Sequence, residues 1–130
     1  MPSRRIAADP QVVWDLLVDT SRWPEWGPSV SAIELDHGDG PRLHSDSTGR
    51  VRTPIGVWIP FTVTGFVDGL RWSWRVAGIP ATSHAVEPHP DGCVVRIGVP
   101  VLAAPDALVC EVGLRRIERL ALAAGRGAAR

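Results

Sequence analysis

The spacing of apolar positions changes twice along the chain. Asp9-Pro10 opens a helix: Asp supplies the N-cap and Pro is preorganised for the first helical position. Val12, Val13, Leu16 and Leu17 then recur at helical spacing and predict a helix to about Val18. Ser21 is placed to cap a second, short turn through Trp23-Pro24-Glu25-Trp26, which Gly27-Pro28 ends. Near the other end, Pro105-Asp106 starts a longer helix with an apolar stripe of Val109, Val112, Ile117, Leu120 and Ala124, stopped at Gly125.

Between these helices the period falls to two. Val57, Ile59, Phe61 and Val63 alternate with smaller or more polar neighbours, and Trp58 and Phe66 break the alternation. Leu70, Trp72, Trp74 and Val76 share one face of the next strand, followed by Thr82, His84 and Val86, then Val95, Ile97 and Val99. Weaker strands surround Ile33, Val51 and Arg4 to Ala7.

Asp68-Gly69 and Asp91-Gly92 are two-residue hairpin signals. The first sets Gly65 against Trp72, Val63 against Trp74 and Phe61 against Val76; the second sets Val86 against Ile97, His84 against Val99 and Glu87 against Arg96. A link through Gly78-Ile79-Pro80 sets Trp74 against His84. A one-residue slip would mix apolar and charged faces, so one antiparallel sheet with a single apolar face is expected.

The chain has 130 residues, enough for one domain, taken as 1–130. Fourteen basic residues balance fourteen acidic ones, and every basic residue is an arginine. Without lysine there is no Schiff-base or phosphate-loop chemistry. A neutral balance draws in neither nucleic acid nor anionic lipid, so no nucleic-acid and no membrane partner is expected. The expected location is cytoplasmic, since the start lacks an apolar run and no stretch approaches a membrane span. Cys93 and Cys110 lack metal-type spacing and read as reduced, packed thiols.

The segment Val13-Trp14-Asp-Leu-Leu-Val-Asp19, followed by Ser21-Arg-Trp23-Pro24-Glu-Trp26, resembles the opening of the polyketide cyclase/dehydrase branch of the START-like (SRPBCC) superfamily. His84-Ala-Val86-Glu87-Pro88 before Gly92 is similar to its later strands. The resemblance spans nearly the whole chain. It implies an α+β helix-grip fold: a curved antiparallel sheet wrapped around a long C-terminal helix, with two short helices near the N-terminus. It also implies a cavity for an apolar small molecule. Members include cyclases and aromatases, lipid binders and chaperone-associated modules, so the fold alone does not choose among them. Cyclases of this group often use a cavity tyrosine, and this chain has none.

On the apolar face the polar residues are Thr53, Thr82 and His84. The candidate ligand-binding residues are Trp72, Trp74, His84, Thr82, Phe61, Val99 and Trp26. His84 is the one titratable group among them: a ligand hydrogen bond, a general acid/base, or a neutral core histidine held by a carbonyl or water. Arg50, Arg52, Arg71, Arg75 and Arg96 fall on the opposite face and read as a solvated surface. No three metal ligands converge by spacing, and no cofactor is expected. Ser73 and Ser83 share the polar face, away from His84, which counts against a Ser–His pair. The leading expectation is binding of a hydrophobic small molecule (polycyclic, polyketide-like or acyl) by a monomer or homodimer. The alternatives are a polyketide cyclase or aromatase assisted by His84, and a non-catalytic interaction module using Trp58 and the convex arginines.

Overall fold

The computed structural model describes residues 2–38, 40–98 and 107–128. Seven strands form one antiparallel sheet: β1 (Ser3–Ile6), β2 (Ala32–Leu35), β3 (Thr48–Arg52), β4 (Trp58–Val67), β5 (Arg71–Val76), β6 (Ile79–His89) and β7 (Gly92–Gly98). Their spatial order is β1-β7-β6-β5-β4-β3-β2, a meander from β2 to β7 with β1 added at the far edge. Helices α1 (Pro10–Val18) and α2 (Trp23–Trp26) bridge the edges, and α3 (Ala107–Ala128) lies against α1, α2, β1 and β7. This is the helix-grip architecture expected from the sequence.

Asp9 caps α1 by accepting a hydrogen bond from the Gln11 N–H, with Pro10 in the first turn. The helix buries Val13, Trp14, Leu16, Leu17 and Val18. The next cap differs from the expectation. Asp19, two residues before Ser21, accepts from the Ser21 N–H and caps a short 3₁₀ turn, Thr20–Arg22, that runs into α2. A carboxylate accepts more strongly than a hydroxyl, and here it also holds the Ser21 hydroxyl at 2.5 Å.

The hairpin registers depart from the simple turns in an instructive way. Phe61 faces Val76 and Val63 faces Trp74 as expected, but Phe66, not Gly65, faces Trp72. A bulge at Thr64 inserts one residue into β4, and the hairpin closes through three residues, Asp68 to Leu70. The bulge explains why Phe66 breaks the alternation: beyond it the parity flips and Phe66 returns to the apolar side, edge-on to Trp14 at 5.8 Å.

The β5–β6 turn falls at Ala77-Gly78, both with positive φ (52° and 77°), not at Gly78-Ile79-Pro80. A second irregularity in this pairing puts His84 opposite Trp72 instead of Trp74. The β6–β7 turn is centred on Pro90-Asp91, with His89 paired to Gly92, so His84 faces Ile97 and Val86 faces Val95. This register differs from the Asp91-Gly92 reading by two residues, which leaves every side chain on its face. Glu87 and Arg96 therefore still pair, diagonally, at 3.1 Å. Proline at the turn explains the shift, since its fixed φ suits a turn corner and it cannot donate to a ladder.

The sheet buries Val51, Phe61, Val63, Trp72, His84, Val86, Cys93, Val95 and Ile97 on its helix side, with Arg50, Arg52, Arg71 and Arg75 exposed on the other. Trp58 is half-buried beneath the Arg50 guanidinium, 4.4 Å from the ring centroid. Leu70 is 48% exposed, because it belongs to the hairpin loop and not to the strand face.

Helix α3 is rotated from the expected stripe. Cys110, Gly113, Leu114, Ile117 and Ala121 are buried, whereas Val112 is 38% exposed and Ala124 is exposed. Gly113 faces α2, where a Cβ would stand in ordinary contact, 3.4 Å from the Trp26 carbonyl oxygen. Arg4 on β1 pins the outer face through a 2.8 Å ion pair to Glu118. Gly125 does not end the helix, which runs to Ala128. One glycine costs about 1 kcal/mol relative to alanine, too little to stop a helix among alanines. The expected start at Pro105-Asp106 and the side chain of Val109 lie outside the described residues.

Candidate functional site

The indoles of α2 shape the concave side first. Trp23 Nε1 donates to the Leu17 carbonyl at 2.9 Å and Trp26 Nε1 donates to the Leu16 carbonyl at 2.8 Å. Each satisfies a carbonyl left open where α1 ends and fixes its ring toward the sheet. Trp23 stacks on Trp72 (5.2 Å, 7°) and meets Trp74 edge-on at 5.4 Å. His84 stacks on Trp72 at 4.0 Å and meets Trp26 edge-on at 6.0 Å.

These rings wall a cavity of about 320 Å³ between the sheet, α2 and α3, at the lower end of the range for small-molecule sites. Of the sequence-derived candidates, Trp26, Trp72, Trp74, Thr82 and His84 line it. Phe61 stands behind the wall, buried against Trp23 and Trp74. Val99 lies outside the described residues. The sequence reading missed Val51, Ile59, Val76 and Ile97, which the strand parity already put on this face, and Pro28 and Val30, for which a loop gives no periodic signal. It also missed Cys110 and Gly113, hidden by the wrong helix phase.

The polar groups form one short chain. Trp74 Nε1 donates to Thr82 Oγ1 at 3.1 Å, and Thr82 Oγ1 lies 3.2 Å from His84 Nε2. His84 Nδ1 and Trp72 Nε1 are buried, and among the described residues no group meets either in hydrogen-bonding geometry. Burial lowers the His84 pKa to about 3, with the Trp72 backbone as a weaker opposing influence. The imidazole is thus neutral near pH 7, the direction expected for a histidine among indoles. The Cys93 thiol is buried and pushed above its ordinary pKa by burial and by the Asp9 charge, which disfavours the thiolate. Among the described residues no group of three or more His, Cys, Asp or Glu could hold a metal ion, and no helix is long and apolar enough to cross a membrane.

The sequence matches, over residues 2–124, the family described as polyketide cyclase/dehydrase and lipid transport. The chain belongs to this family. Solved structures share its fold. The hypothetical protein jhp0584 from Helicobacter pylori superposes with a TM-score of 0.72 at 19% identity, covering 92% of this chain and 85% of that one. Protein MLL2253 from Mesorhizobium loti gives 0.71 at 12% identity, covering 92% and 93%. Protein NE0264 from Nitrosomonas europaea gives 0.65 at 16% identity, covering 92% and 90%. No curated protein matches the sequence. At these identities the structural likeness speaks for the fold alone.

Proposed function

We propose that this protein binds a hydrophobic small molecule, polycyclic, polyketide-like or acyl, in the cavity between the sheet and helices α2 and α3. The observation that carries this reading is the cavity itself: about 320 Å³, walled by Trp23, Trp26, Trp72, Trp74 and aliphatic side chains, with little polar surface. Apolar surface of this kind gains about 25 cal/mol per Å² when a ligand removes it from water. Family membership supports the same ligand chemistry.

Two features weigh against the other readings. A proton shuttle needs a pKa near the working pH, and a histidine with a pKa of about 3 is neutral and weakly basic there. Trp58, the anchor considered for an interaction module, is covered by Arg50. Calorimetric titration with ethylnaphthalene tests the proposal. Binding with a negative heat-capacity change, weakened at least severalfold in a folded Trp74→Ala variant and unchanged in Trp58→Ala, is the expected outcome. No binding by the wild-type protein, or equal affinity in Trp74→Ala, overturns it.

A further inference from the structure

We propose that the cavity selects an uncharged ligand carrying one neutral oxygen, held at Thr82 Oγ1. This rests on the cavity reading above and narrows it. It separates neutral ketones, alcohols and esters from free carboxylic acids, which are anions near pH 7.

The charge argument comes from what stands around the cavity. Among the described residues, no arginine, aspartate or glutamate lines it, and the chain has no lysine. The convex arginines point the other way, and the ion pair of Arg4 and Glu118 lies outside the lining. The one histidine is buried and neutral, so it offers no counter-charge. An ionised carboxylate entering this space would lose its water and meet no partner, a penalty far larger than a neutral carbonyl suffers.

The oxygen argument comes from counting protons and lone pairs. An indole N–H only donates, so Thr82 Oγ1 accepts from Trp74. The 3.2 Å contact to His84 Nε2 then runs one of two ways. If the hydroxyl donates to Nε2, Oγ1 keeps one lone pair for a ligand hydroxyl. If Nε2–H donates to Oγ1, the hydroxyl hydrogen is free for a ligand carbonyl. Either tautomer leaves one hydrogen bond at Thr82, and a neutral imidazole can adopt both. Thr53 and Ser29, the other hydroxyls of the lining, face competition from water: Thr53 Oγ1 accepts from the Val57 N–H at an exposed turn and has further hydrogen bonds open to solvent there, and Ser29 is exposed. Thr82 therefore stands as a positioning residue for ligand, backed by Trp74 and His84.

Three probes on one ring system test this by calorimetry: ethylnaphthalene, acetonaphthone and naphthoate. At pH 7 the ketone is expected to bind about five- to tenfold more tightly than the hydrocarbon, the worth of one hydrogen bond. Naphthoate is expected to bind at least roughly 100-fold more weakly than the ketone, and to tighten as pH falls toward its own carboxyl pKa. Thr82→Val should erase the ketone's advantage over the hydrocarbon, and Thr82→Ser should restore it. Naphthoate binding as tightly as the ketone at pH 7, or a ketone preference that is absent in wild type or survives Thr82→Val, overturns this inference and leaves the cavity standing. Failure of all three probes, the hydrocarbon included, overturns the cavity reading and this one with it.

Discussion

The His84 imidazole lies flat on the Trp72 indole, centroids 4.0 Å apart and planes 19° from parallel, as direct cross-strand neighbours on β6 and β5. Stacking and burial act together on this ring. Burial keeps it neutral, and stacking orients it with Nε2 turned to Thr82.

Stability should therefore depend on pH with a definite sign. The folded-state pKa of about 3 lies below the ordinary 6.5, so between these values the unfolded chain binds the extra proton. The contribution is full above about pH 6.5 and is lost as pH falls toward 3. Thermal melts should show Tm dropping over that window, and His84→Gln should flatten this part of the drop. An imidazole NMR titration with a midpoint near 6.5 would contradict the buried environment.

His84→Gln also separates binding from proton transfer. Glutamine keeps a donor and an acceptor within reach of Thr82, so acetonaphthone affinity is expected to fall less than about tenfold. A general acid–base role would instead leave binding intact and cost roughly 100-fold or more in turnover of a cyclisable substrate.

The phase of α3 makes a stability prediction. Leu114 is fully buried and Leu114→Ala should cost about 2–5 kcal/mol in denaturant unfolding. Val112→Ala, on the exposed side, should change stability by about 0.5 kcal/mol or less. A reversed order would restore the sequence-derived stripe.

Two glycines offer a matched test of close approach against backbone freedom. At Gly49 a Cβ would stand 2.2 Å from the Glu34 carbonyl oxygen, on the neighbouring strand. Gly49→Ala must push β2 from β3 and should cost roughly 1–3 kcal/mol. Gly69 has φ +77° and open space around it, so Gly69→Ala should cost only the left-handed conformation, about 1 kcal/mol.

Face assignments were more legible in the sequence than registers, for a physical reason. Burial selects parity, so Trp72, His84, Val86 and Ile97 share the helix side even though the β6–β7 pairing is shifted by two. The shift itself arose because the turn forms at Pro90-Asp91, one residue before the Asp91-Gly92 signal. The bulge at Thr64 left one trace, the misplaced Phe66, which becomes intelligible only once Trp14 is seen beside it. In the cavity, the sheet wall followed from alternation. The opposite wall did not, because Pro28 and Val30 come from a loop and Cys110 and Gly113 depend on how closely α2 approaches α3.

The two indole hydrogen bonds to Leu16 and Leu17 have a mechanical consequence. They lock α2 to the end of α1 as a stiff corner bracket, so this wall cannot swing open without exposing two buried carbonyls and two large rings. The Gly27 to Val30 segment continues the cavity lining from this bracket as a loop, with Ser29 exposed. A ligand would thus meet an aromatic floor whose shape is set before it arrives.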